Sequence, residues 1–313
     1  MATARSLSGS ALDAPTADRL LTDYCADPAR HWPATAQRQA RKLAKHLARS
    51  AKALKVRAEH VPQAALASAR QRTGARRPTL YLANIGSSGS HWLEDMLVDG
   101  ASMLGAGEVY LPKPVSRAVD ELPREEAQIF IDALHLIHAD EPAPDETASV
   151  INSQHSTQPT AFLNADPSGC RVLLLRDPVD VCLSRTFRKD TYRRDVAPDA
   201  DNLAYLRDNI RLVKGFLSEA RTQEFALVIR YEDLVRDPVP SLTALCHLTA
   251  TPVERQRLRQ VAERRSARQL IASGEAAHTN LFAGDKRAIP ASARRLAARE
   301  LADVSRSFGY AGA

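Results

Sequence analysis

The sequence predicts an α/β protein, a parallel sheet flanked by helices, preceded by an N-terminal helical extension. Three observations carry this. From Pro78 onward, short apolar runs alternate with longer stretches of helical pattern, the grammar of strand–helix units. One of those runs, Cys170–Leu175, is apolar throughout after Arg171, as suits a parallel strand buried on both faces. Before Pro78, residues 36–60 contain neither Gly nor Pro and are rich in Ala and Leu, which favours helix.

Composition bounds the rest. The 313 residues suffice for a core that needs no disulfide or metal staples, and 44% hydrophobic with 26% charged residues excludes a disordered chain. No run approaches the roughly 18 apolar residues of a membrane-spanning helix, so no membrane span is expected. Arg5, Asp13, Asp18 and Arg19 interrupt the N-terminus, so no signal peptide is expected either. Cys25, Cys170, Cys182 and Cys246 lie 145, 12 and 64 residues apart, a spacing that fits no zinc site or disulfide framework. Four reduced thiols in a cytoplasmic protein are the expectation.

Taken in order, residues 1–30 scatter Ser, Asp and Pro and read as irregular. Residues 36–60 read as one helix with a narrow apolar stripe of Leu43, Leu47 and Leu54. Between residues 38 and 57 that helix carries eight cations and no acid, against a net charge of +6 for the chain. The bulk of the protein is therefore close to neutral, and the excess is local. A solvated helix docked on the domain fits this, and so does an arm that binds a polyanion. Residues 73–78 (TGARRP) read as a linker, dividing an extension over residues 1–77 from an α/β domain over 78–313. Thr79–Ile85 is the first strand and Gly86–Gly89 a turn; Trp92, Leu93, Met96 and Leu97 open an amphipathic helix. A possible helix within residues 101–150 carries His135 and His138, both expected at its surface. Thr147–Ser153, Cys170–Leu175 and Phe225–Ile229 are further strands, and Ala291–Phe308 is a closing helix.

Three motifs sit where strands end. In the first, GSSGSHW over residues 86–92, two glycines allow the backbone to curl its N–H groups toward one point, and the helix that follows adds its positive end. Ser87, Ser88 and Ser90 supply hydroxyls without bulk. This is an anion cradle suited to phosphate or sulfate, or else a tight turn with no ligand. It lacks the Gly-Lys-Ser/Thr of a Walker A loop and the three spaced glycines of a dinucleotide fingerprint. In the second, RDPVDVCLS over residues 176–184, Asp177 suits a helix N-cap, Pro178 the first turn and Asp180 the reciprocal acid of a capping box. Those roles leave Arg176 unexplained at the carboxyl end of a buried strand, where open α/β sheets bind ligands and a guanidinium suits phosphate. Ser184 lies two turns along the same helix. The third motif, YEDLVRDP over residues 231–238, holds Glu232 and Asp233, which suit anchoring a loop by hydrogen bonds to backbone.

In this order and in these positions the three motifs resemble the cytosolic-type sulfotransferases, which use 3′-phosphoadenosine 5′-phosphosulfate. The first resembles the family's 5′-phosphosulfate loop, the second its 3′-phosphate motif and the third the segment whose tyrosine lies near the adenine. The resemblance runs from about Thr79 to the C-terminus. It implies a P-loop-like nucleotide fold with Ser88, Gly89 and Ser90 on the 5′-phosphosulfate, Trp92 and Tyr231 flanking the adenine, and Arg176 and Ser184 on the 3′-phosphate. Two shorter matches accompany it. Residues 151–155 (INSQH) are similar to the segment carrying the catalytic histidine, which makes His155 the base, with His91 next in line. Residues 283–287 (AGDKR) resemble the region that closes on the 3′-phosphate, which adds Lys286 and Arg287 although the usual tryptophan is missing. Ser266 matches a hydroxyl that contacts the adenine.

The implied reaction is in-line sulfuryl transfer to a hydroxyl of a small molecule, lipid or sugar, by positioning and electrostatics, with no metal required. No nucleic acid partner is expected. One departure stands out: Ser87 replaces the family's lysine or arginine beside the transferring group. Either Lys113, Arg188 or Lys189 supplies that cation, or turnover is weak, or the chain only binds nucleotide. A nucleotide kinase and a polyanion binder built on residues 38–57 are the readings from outside the family.

Overall fold

The computed structural model describes residues 16–72, 78–139, 149–154, 160–187, 197, 199–273 and 289–310. Four helices open the chain: α1 (Ala17–Ala26), α2 (Pro28–His31), α3 (Gln37–Leu54) and α4 (Val61–Arg72). There follow β1 (Leu80–Asn84), α5 (Ser90–Ala101), β2 (Leu104–Gly105), α6 (Lys113–Asp120) and α7 (Arg124–His138). Next come β3 (Ser149–Gln154), α8 (Thr160–Ala165), β4 (Cys170–Leu175), α9 (Pro178–Phe187), α10 (Asn202–Ala220) and β5 (Leu227–Arg230). The chain continues through α11 (Tyr231–Arg236), α12 (Val239–Leu248), α13 (Arg255–Arg264), α14 (Ala267–Ala272) and α15 (Ala291–Ser307).

The five strands form one parallel sheet in the order β2-β3-β1-β4-β5. Leu80 of β1 stands in register with Val150 on one side and Cys170 on the other. The chain leaves β1 toward β2 and β3 and returns on the opposite side to β4 and β5. Strand order thus reverses at β1, the arrangement that opens a ligand crevice at the carboxyl ends of an open sheet.

Period-two alternation sorts the core. Leu80, Leu82, Val172, Leu174 and Ile229 face α5, α12 and α13 on one side of the sheet. Ala83, Ile85, Leu173 and Leu175 face α9, α10 and α15 on the other. Tyr81, also on that second side, joins a third cluster in which Leu21, Tyr24, Leu43, Leu47 and Leu66 of the first helices pack with Phe130, Ile131 and Leu134 of α7. A carboxylate of α7 closes the joint: Glu126 Oε2 accepts the Ala17 N–H at 2.7 Å, at the open end of α1.

Several sequence expectations change here. Within residues 1–30 the described part is helical, not irregular. Thr16 caps α1 through its side chain, and Ala17, Leu21, Tyr24 and Cys25 make a buried stripe that interspersed polar residues obscure. The basic helix stops at Leu54, because Lys55 turns left-handed at φ 54° and closes the helix with its N–H. Leu43 and Leu47 are buried as expected, whereas Leu54 is 38% exposed. The fifth strand runs Leu227–Arg230, displaced from Phe225–Ile229. His135 and His138 do lie on a helix, α7, but they are buried, with 1% and 7% exposure. His135 stacks on Phe162, and His138 lies 4.3 Å from the His46 ring, where burial holds its pKa well below the usual value. The expected strands over 79–85 and 170–175 and the closing helix stand, as does the part of 147–153 that is described, and all four cysteines are free.

Candidate active site

The loop Gly86–Gly89 joins β1 to α5 at the carboxyl edge of the sheet. Its backbone is unusual in two places, Ser87 at φ 83° and Gly89 at φ 87°. At Gly89 the reason is steric as well as conformational, since a Cβ there would stand 2.6 Å from Cδ2 of Tyr231. At Ser87 an L-residue is held in a region it enters at a cost of roughly 1 kcal/mol or more. Such strain persists only where surrounding contacts impose it, and two arginines do. Arg185 Nη1 donates to the Gly86 carbonyl at 3.3 Å, and Arg176 Nη1 donates to the Ser87 carbonyl at 2.9 Å.

The hydroxyls divide their work. Ser88, fully buried, donates to the Ile85 carbonyl at 2.5 Å and closes the turn. Ser90 is the first residue of α5, whose opening N–H groups have no partner within the helix. The buried Oγ of Ser87 has no protein partner at all, a state that costs about 1–3 kcal/mol unless something completes it.

Tyr231, at the start of α11, covers the loop. Its ring lies 6.2 Å from Trp92 in an edge arrangement, and the Arg176 guanidinium sits 4.5 Å from its centroid. Trp92 is buried, and its indole N–H donates to the Arg265 carbonyl at 2.7 Å. That bond draws the chain around Ser266, whose Oγ accepts the Gln269 N–H, against Trp92. Ser184 is buried on α9.

The second motif folds nearly as read. Asp177 Oδ1 accepts the N–H groups of Val179 and Asp180 and caps α9. The reciprocal acid is Glu232, however, whose Oε1 accepts the Asp177 N–H at 2.9 Å. Asp180 stands instead 3.5 Å from Arg294 of α15. Glu232 thus anchors backbone as expected, while Asp233 pairs with Arg236 on the surface.

On the other side of the loop His91 points into a carboxylate pair, 3.3 Å from Glu108 and 3.7 Å from Glu94. Hydrogen bonds to Glu108 and then Glu94 raise its pKa to about 9, so it carries its proton at neutral pH and is poorly suited to act as a base. Burial pushes Glu108 up, but hydrogen bonds from His91 and Lys42 outweigh it and hold the carboxyl well below its usual range. Lys42 of α3 reaches Glu108 at 2.7 Å, and Glu94 takes the Gly107 N–H at 2.6 Å.

The structure therefore brings Ser87, Ser88, Gly89, Ser90, Trp92, Arg176 and Tyr231 together around one loop, with Ser184 on the helix that Arg176 precedes. His155, Arg188, Lys189, Lys286 and Arg287 lie outside the described residues; Lys113 is exposed at the start of α6. Sequence reasoning missed Arg185, which is 4% exposed and also bonds Asn209 Oδ1 at 2.8 Å. A lone arginine inside the apolar run VCLSRTF was its only signal. The residues present suit an anionic group: an orphaned hydroxyl, a glycine with no room for a side chain, a free helix end and a guanidinium fixed at the rim.

A family model described as "Sulfotransferase family" matches residues 15–255. The chain belongs to the sulfotransferase family. It is an enzyme that moves a sulfuryl group. The match takes in most of the residues before Pro78 as well as the three motifs. Among curated proteins none matches the chain. Solved structures similar to it include mouse sulfotransferase SULT7A1 complexed with PAP, 15% identical, covering 74% of this chain and 86% of that one with a TM-score of 0.49. Sulfotransferase STF9 from Mycobacterium avium is 12% identical and covers 89% of this chain and 86% of its own, also at 0.49. Among the described residues no helix is long and apolar enough to cross a membrane.

Proposed function

We propose that this sulfotransferase takes 3′-phosphoadenosine 5′-phosphosulfate as donor and passes its sulfuryl group to a hydroxyl of a small molecule, lipid or sugar. The observation that carries the reading is the Gly86–Gly89 loop, strained at Ser87, with an unpartnered buried hydroxyl and Arg176 fixed across its rim. When bound, the donor supplies an activated sulfuryl group whose leaving phosphate gains negative charge during transfer. Ser87, Ser90 and the first turn of α5 offer that charge hydrogen-bond donors oriented before reaction. Ser88 keeps the loop closed. Arg176 has one N–H on the Ser87 carbonyl and four more for the 3′-phosphate, with Ser184, Lys286 and Arg287 in support. Trp92 and Tyr231 flank the adenine, and Ser266, beside Trp92's partner Arg265, suits a polar contact to it.

His155, the residue following β3, takes the acceptor's proton. The cation missing at Ser87 is supplied by the buried guanidinium of Arg185, which bonds the Gly86 carbonyl of the loop itself. A cytoplasmic setting is supported by four free cysteines, of which burial pushes Cys25 and Cys182 to about 12 and so leaves both unreactive.

The deciding experiment is calorimetric titration of wild type and Arg176→Ala with 3′-phosphoadenosine 5′-phosphate and with adenosine 5′-phosphosulfate, which lacks the 3′-phosphate. Because Arg176 also holds the Ser87 carbonyl, both ligands should weaken on Arg176→Ala, the first by about 2–4 kcal/mol more than the second. Equal loss for both ligands would refute the assignment of Arg176.

A further inference from the structure

We infer that the C-terminal segment Phe308–Tyr310 is a clasp that positions Arg176, and that Tyr310 is a positioning residue for recognition of the 3′-phosphate. The inference rests on the donor reading above and adds to it a part of the molecule far along the chain from all three motifs.

After α15 the chain turns at Gly309, left-handed at φ 73°, and meets the end of β5. Arg230, the last residue of β5, donates to the Phe308 carbonyl at 2.5 Å and lies 4.8 Å over the Tyr310 ring. The Tyr310 hydroxyl donates to Glu232 Oε2 at 2.9 Å. The other oxygen of that carboxylate accepts the Asp177 N–H at 2.9 Å. Asp177 is covalently next to Arg176. One carboxylate therefore ties the end of the chain to the peptide that carries the arginine.

The need for this tie is visible locally. An N-cap residue's own N–H is normally satisfied by an acid three residues on. Asp180 occupies that place and stands instead beside Arg294. The box is completed from another element, so the position of the 176–177 peptide is set by Glu232 and, through it, by Tyr310. Arg176 has a narrow target, since its guanidinium must lie over Tyr231 and still reach the Ser87 carbonyl. Burial, and then the neighbouring Glu232, raise the pKa of Tyr310, so the phenol keeps the proton it donates.

The test uses the full chain and two ligands, 3′-phosphoadenosine 5′-phosphate and adenosine 5′-phosphate, titrated by calorimetry. Tyr310→Phe deletes one hydroxyl and should weaken the bisphosphate by about fivefold, the worth of one hydrogen bond, with the monophosphate unchanged. Gly309→Ala reaches the clasp from its other end, through the lost left-handed turn and a Cβ 2.8 Å from Arg230 Nη2, and should act in the same direction. In an Arg176→Ala background, Tyr310→Phe should have no further effect. Equal weakening of both ligands, or a second fivefold loss in that background, overturns the clasp and makes Tyr310 an ordinary packing contact. A wild type that does not prefer the bisphosphate overturns the donor reading, and the clasp with it.

Discussion

The two sides of the β1 loop handle charge in opposite ways. Toward β2, cations meet carboxylates: Lys42 and His91 share Glu108, and His91 also faces Glu94. Toward β4, Arg176 meets a carbonyl and an aromatic ring, and among the described residues no carboxylate pairs with it. A guanidinium bonded to a neutral acceptor keeps its charge for a third party, whereas one neutralised by a carboxylate has little left to offer. The first side reads as scaffold and the second as receptor, although both are rich in charged groups. Counting charge would not have told them apart; counting partners does.

The comparison can be broken at three points. The largest effect belongs to His155→Ala, which should lower turnover on an alcohol acceptor by about 10²–10⁴-fold and leave bisphosphate affinity intact. Steady-state rates beside calorimetry check it, and retained turnover would move the base elsewhere. Next is Ser87→Lys. With Arg185 already beneath the loop, a second cation crowds the first, and turnover should fall by about tenfold with little change in donor affinity. A rise in turnover would mean that the site lacks its cation. The smallest effect tests the scaffold side. The pKa of His91 is raised from 6.5 to about 9, so its contribution to stability is complete below about pH 6.5 and is lost as pH rises through 9. The side chain is 63% exposed, which keeps that contribution under about 1 kcal/mol. The melting-temperature gap between wild type and His91→Gln should therefore be small at pH 7 and vanish by about pH 10. A gap that grows with pH would contradict the ion-pair assignment.

Much of this was legible in the sequence, and the reasons are local. The turn after Ile85 is marked by its glycines, β4 by an uninterrupted apolar run, and the cap of α9 by Asp177 and Pro178 in adjacent positions. What escaped was decided at a distance. Asp180 has the right type at the right spacing for a capping box, yet Glu232, 55 residues from the Asp177 it bonds, takes its place. His135 and His138 are buried because α3, α4 and α8 pack onto α7, which no periodicity within α7 reveals. The strand β2 is two residues long, below the reach of any pattern. Arg185 resembles a misplaced surface residue until Gly86 and Asn209 are seen to receive it.

The bond between Glu126 and the start of α1 spans 109 residues. It has a consequence for the order in which the protein is made. The apolar faces of α1, α3 and α4 leave the ribosome first, but their partners Phe130, Ile131 and Leu134 follow only after β1 and α5. At about 5–20 residues per second, the early helices wait several seconds or more for the part of their core that α7 supplies. Over that interval the eight like charges of residues 38–57 favour hydration and mutual repulsion of the segment that carries them.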